Sequence, residues 1–248
     1  VFFFSRLWRR SLVLTEVELT ELRYSGRPAA ALRGFKAVYW GLLYNCFVAG
    51  AWSVTGLSKV MQATTGFPPW AAILICGLIA GGYAVMSGFW GVVATDLFQF
   101  VLAIFGSIAC AYYAVREAGG WDTMIQGVPP GRLDLIPASG TSLFNMFLAV
   151  VLVQWWAGKN TDGGGLIVQR MASCRNERHA VYATLWYNLF HYGVRCWPWI
   201  IVALASFTVL PEVADPEMSY ALMIKTVLPA GLKGLLVGWF LAEFMCSV

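Results

Sequence analysis

Six apolar runs succeed one another along this 248-residue chain, and its few charges lie mostly between them. The runs fall at about 35–60, 70–86, 92–115, 142–157, 182–210 and 231–248. A helix that crosses a bilayer needs roughly 20 mostly apolar residues, so the spacing allows about six spans with connecting loops. Only 12% of residues are charged and 59% are hydrophobic, with a mean hydropathy of +0.66. Soluble domains carry about 25% charged residues. One soluble core of this size could not hide so much apolar surface, and lipid is its natural solvent. The expected fold is all-α, a polytopic transmembrane helix bundle, as a single domain over residues 1–248.

The breaks between runs have local causes. Gly66-Phe67-Pro68-Pro69 marks a turn, and Ser87-Gly88 a tight connection, because glycine reaches backbone angles that other residues resist. The stretch Arg116–Thr141 holds five glycines and three prolines and reads as a long loop. Leu14–Tyr24 has a charged helical pattern that suits a short surface helix, and Met218–Val227 suits a second. The fourth run is short and meets Gly158 and Gly163–Gly165, the pattern of a broken helix. Both ends of the chain, at Val1 and Val248, fall inside apolar runs, which suggests a fragment cut on both sides.

Charge and cysteine content exclude several classes. A net charge of +4 gives no case for nucleic acid. Cys46, Cys76, Cys110, Cys174, Cys196 and Cys246 are scattered without a CxxC pair, which argues against a disulfide framework or a zinc site. No nucleophile, metal or acid–base set supports an enzyme. Of the 17 basic residues, 11 lie in the N-terminal stretch or in Gly158–His179. The loops on the other side hold Lys59, Arg116, Arg132 and Lys225. Basic residues favour the cytoplasmic side. The N-terminal end and Gly158–His179 are therefore expected in the cytoplasm, and Arg116–Thr141 outside.

Four features could carry chemistry. Asp96 follows Thr95 near the start of the third run; it reads either as a helix N-cap or as an ion-pathway carboxylate. Gln154, Trp155 and Trp156 stand before the break in the fourth run, as substrate-lining residues or as an interfacial aromatic belt. Glu243, Cys246 and Ser247 lie in the last run, where an acid is costly unless it faces a partner or water. There Ser247 and backbone carbonyls could offer oxygen to a hard cation, or the small residues could serve helix packing. His191 and Arg195, four apart, suit a helix contact or a water-filled cavity.

Several motifs, in order along the chain, resemble the sodium:solute symporter family of sodium-coupled sugar and proline carriers. Thr15, Glu18 and Arg23-Tyr24 resemble its T-x-x-E-x-x-x-x-R-Y segment. Tyr83 to Gly88, then Thr95-Asp96-x-x-Gln99, resembles its Y-x-x-x-G-G … T-D-x-x-Q stretch, with Ser87 at the first glycine. Ile167-Val168-Gln169-Arg170 resembles its I-V-Q-R, and Leu228-Pro229-x-Gly231-Leu232-Lys233-Gly234-Leu235 its L-P-x-G-L-K-G-L.

The resemblance implies a partial five-plus-five inverted-repeat transporter core, from the end of core helix two to the start of core helix eight. It implies a sodium site between core helices one and eight, with the first of these absent from this piece. The matching positions are Glu243 through its carbonyl, Cys246 and Ser247, with Asp96 as the supporting acid. Cys246 departs from the family's Ser/Thr pair, and a thiol is a poor sodium ligand. The gap from Trp156 to Gln169 is longer and richer in glycine than the family's. Leu152 stands where the sugar carriers have an amide, so a sugar substrate is not supported. The implied activity is sodium-coupled symport of a small organic solute by a plasma-membrane protein, with sodium as coupling ion and no organic cofactor. The rival is a sensor or receptor of the same fold.

Overall fold

The computed structural model describes residues 2–154 and 164–247, with side chains except at 45–53, 80, 83, 84, 87, 164–166 and 244–247. Its regular structure is helical, with no strand among the described residues. The elements are α1 (Phe4–Ser11), α2 (Leu19–Arg23), α3 (Gly26–Lys36), α4 (Gly50–Thr65), α5 (Pro69–Glu117) and α6 (Trp121–Gln126). They continue with α7 (Ser142–Ala149), α8 (Gly164–Ala172), α9 (Glu177–Asn188), α10 (Cys196–Val209), α11 (Ser219–Val227) and α12 (Ala230–Ser247). Wider π-helical turns at Ala37–Ala49, Val150–Gln154 and Leu189–Val194 adjoin α4, α7 and α9.

Among the described residues, two helices are long and apolar enough to cross a membrane, Gly88–Glu117 and Glu177–Val209. Val54–Thr65 and Pro69–Ile79 pass the same test as a pair bent by 115°, and Ser142–Gln154 is a shorter apolar helix. The sharp bend follows from the expected turn: Gly66 has φ +76°, a left-handed angle natural to glycine, and Pro69 opens α5. Gly88, at φ 60° and ψ −172°, breaks α5 into two arms where the sequence marks a connection. Arg116–Thr141 is mostly loop but carries the short helix α6, which the glycine and proline content conceals.

The chain forms two compact units: Val1–Leu42 with Pro130–Gly193, and Leu43–Pro129 with Val194–Val248. In the first, α1 packs on α8 and α9. Arg10 grips Glu177 with two hydrogen bonds, Nε to Oε1 at 2.9 Å and Nη2 to Oε2 at 3.0 Å. Glu177 opens α9, where an acid complements the helix dipole, and the Asn176 side chain accepts from the His179 N–H at 3.0 Å to cap it. Arg33 of α3 donates to Glu21 and lies 3.9 Å from Glu18. Burial here is sparse, at Ala29, Val168, Met171, Ala180 and Val181 among a few others.

The second unit has a continuous core. The second arm of α5 turns Ala103, Gly106, Ser107, Cys110, Ala111 and Ala114 inward, all buried. Leu97, Val101, Phe105, Ile108 and Tyr112 recur every three or four residues on its exposed side. Small residues inside and large apolar ones outside invert the pattern of a soluble helix, and they fit a helix that meets lipid and lets a neighbour approach closely. That neighbour is α12: a Cβ added at Gly106 would stand 2.7 Å from Leu236 Cδ1. Helix α11 forms where a surface helix is expected and packs one face inward, with Ala221, Met223 and Ile224 buried and Lys225 and Thr226 exposed. Lys59 of α4 ties down the segment before α11, donating to Asp215 at 2.9 Å and also to Glu217. The Lys59 hydrogen bond leads the effects that hold the Asp215 carboxyl below its ordinary range.

Candidate functional site

Asp96 and Glu243 lie in the second unit, on α5 and α12, two helices that pack against each other. Asp96 is half-buried, two turns inside the arm that opens at Gly88. It is therefore not an N-cap. The Thr95 hydroxyl does not cap either: it donates back to the Gly91 and Val92 carbonyls, both at 2.9 Å. Of the two readings open from sequence, the structure removes the capping one and leaves an acid within an apolar helix.

Glu243 has the partner that its cost demands. Its Oε1 accepts from Arg195 Nη2 at 3.0 Å, across from the start of α10 to α12. The Arg195 guanidinium stands 4.9 Å from the ring centre of Trp199 and 5.7 Å from that of Trp239, distances at which a cation is attracted to an aromatic face. Trp199 donates from Nε1 to Ser107 Oγ at 3.1 Å, which ties this group to the small-residue face of α5. Tyr220 of α11 packs edge-on to Trp199 and to Phe240. Burial raises the Tyr220 hydroxyl well above its ordinary range and keeps it neutral. Arg195 Nε and Trp239 Nε1 are buried without hydrogen-bond partners among the described residues.

Arg195 does lie at a helix contact, as expected, but its partner is Glu243. His191 instead stacks on Tyr187, with ring centres 4.9 Å apart. The sequence carried a signal for the pair in the two opposite charges set inside apolar runs. It carried none for the two tryptophans, because aromatic residues abound throughout the chain.

Cys246 and Ser247 belong to the last turn of α12, and their side chains fall outside those described. Gln154 ends the π-helical turn after α7 and is exposed. Trp155 and Trp156 lie outside the described residues. Among the described residues no cluster of three or more His, Cys, Asp or Glu side chains could hold a metal ion.

The family model of the sodium:solute symporters matches residues 1–248. The chain belongs to the sodium:solute symporter family. Relatives of this family member include the mouse (Mus musculus) sodium-coupled monocarboxylate transporter 2, 27% identical over 218 residues, 84% of this chain and 33% of that protein. The sodium/pantothenate symporter of Haemophilus influenzae is 27% identical over 137 residues, 55% of this chain and 27% of that protein. The rabbit (Oryctolagus cuniculus) sodium/glucose cotransporter 1 is 21% identical, over 99% of this chain and 42% of that protein. The chain thus spans about a third of the length of the monocarboxylate transporters it matches, 33% for the mouse protein. These relatives are transporters, not enzymes, and the symporter family consists of integral membrane proteins, which the apolar helices fit.

Proposed function

We propose that this chain is part of a sodium-coupled secondary transporter that imports a small organic solute, with monocarboxylates the first class to test. The observation that carries the reading is the close packing of α5 on α12 at Gly106 and Leu236, with acids at Asp96 and Glu243 on the same two helices. Spans that alternate in direction make these helices antiparallel. Asp96 lies ten residues before Gly106, and Ser247 eleven after Leu236. At 1.5 Å per residue those separations are about 15 and 17 Å, so the two ends reach the same depth. In this reading the Glu243 carbonyl and Ser247 hold sodium, Cys246 is a weak member of the set, and Asp96 supports it.

Gln154, Trp155 and Trp156 are the proposed solute-lining residues. Four of the relatives are monocarboxylate transporters by name, and pantothenate is also a monocarboxylate. Leu152, lacking an amide, speaks against a sugar. A plasma-membrane protein with the N-terminal end in the cytoplasm is the proposed setting; the contact of α1 with α8 and α9 supports one side for both basic stretches. Sodium bound between two moving helix groups would shift the conformational equilibrium by its differential affinity for the two states.

The test is uptake into proteoliposomes by the full-length protein of labelled lactate, pantothenate and glucose, with an inward sodium or potassium gradient. Lactate or pantothenate uptake that needs sodium supports the reading. Uptake indifferent to the sodium gradient ends it, and a solute that binds without crossing turns it into the sensor of the same fold. Asp96→Asn and Ser247→Ala should each raise the sodium concentration needed for half-maximal uptake. Unchanged sodium dependence in both would remove the assigned site.

A further inference from the structure

Arg195 brings a positive charge to the place where a cation site is proposed. Its side chain is only 17% exposed, it lies against Trp199 and Trp239, and its Nε has no hydrogen-bond partner among the described residues. Glu243, which its Nη2 reaches at 3.0 Å, precedes Cys246 and Ser247 by three and four residues, about one turn of α12 or 5 Å. An uncompensated guanidinium within about 10 Å of a bound ion, at an effective dielectric constant of about 20, weakens cation binding on the order of tenfold.

We infer that the Glu243 carboxylate is the charge-compensating residue of the cation site on α12: it cancels Arg195 so that sodium can bind one turn away. The inference rests on the proposed sodium-coupled function. It gives Glu243 a side-chain role besides the backbone carbonyl that the family resemblance assigns. A pair that only fastened α10 to α12 would behave differently, because loss of either partner would then loosen the same contact.

The discriminating measurement is displacement of radiolabelled sodium by unlabelled sodium from the purified full-length protein. The variants are Glu243→Gln, Glu243→Asp, Arg195→Gln and the double Arg195→Gln/Glu243→Gln. Glu243→Gln should weaken sodium on the order of tenfold. Arg195→Gln should bind it at least as tightly as wild type, and the double variant should return to within a few-fold of wild type. Glu243→Asp keeps the charge and should stay close to wild type, which separates charge from packing even where Glu243→Gln expresses poorly. Equal weakening by Arg195→Gln and Glu243→Gln, or a double variant no better than Glu243→Gln, overturns the inference while the symport reading stands. A wild-type protein with no displaceable sodium removes both.

Discussion

The two compact units are held together by different means. The one made of Val1–Leu42 and Pro130–Gly193 relies on ion pairs near its surface, Arg10 with Glu177 and Arg33 with Glu18 and Glu21. The one made of Leu43–Pro129 and Val194–Val248 relies on contact between α5, α10, α11 and α12, with Cys110, Ala114, Met223, Ile224 and Leu236 wholly buried. Exposed ion pairs contribute little, because water and salt screen them. Close packing contributes much, because each buried atom loses its neighbours when one side chain is removed. The proposed ion-site residues Asp96 and Glu243 belong to the second, closely packed unit.

The largest expected effect tests that packing. Met223→Ala empties part of a fully buried position and should cost about 2–5 kcal/mol. Thermal unfolding of the full-length protein in detergent reads it, and a wild-type melting temperature would show that α11 is not part of the core. A smaller effect compares one residue type in two places. Gly106→Val drives a branched side chain into Leu236 and Leu235, at 2.7 and 3.3 Å from the added Cβ, and should cost about 1–3 kcal/mol. Gly34, in α3 of the first unit, has nothing within 4 Å of an added Cβ. There Gly34→Ala should stabilise by about 0.5–1 kcal/mol through reduced backbone freedom. The same sign at both sites would erase the contrast.

The smallest expected effect belongs to the first unit. Arg10→Gln removes the two-pronged contact with Glu177, whose side chains are 66% and 38% exposed, and should leave the melting temperature unchanged within error. Any shift it does produce should vanish in high salt. A large shift that survives salt would show that this ion pair, and not burial, organises the unit.

The local signals in the sequence were those of the chain's breaks. Gly66 and Pro69, and then Gly88, bend or end helices through their own backbone angles, and the structure bends there. Helix α6 was hidden because its six residues lie among the glycines and prolines of a loop. The pattern of α11 marks a helix with one apolar face but does not say which helices that face meets. The capping reading of Asp96 failed because the apolar run does not mark the first helical residue, and Gly88 starts that arm two turns earlier. For the candidate site, the sequence marked Glu243 and Arg195 as charges in apolar surroundings but could not pair them, since 48 residues separate them.

By itself the sequence determined that this chain is a set of apolar helices for a bilayer, because hydropathy and chain breaks are local and additive along the chain. Its ordered motifs also pointed to the symporter family. Tertiary structure alone decided which face of each helix is inside. In lipid both faces are apolar, so hydropathy cannot rank them, and the decision falls to size: Ala103, Gly106, Cys110 and Ala114 go inward because only small residues let α12 come close. Tertiary structure also decided that Glu243 meets Arg195, since a charge away from water must find its opposite wherever the fold presents one.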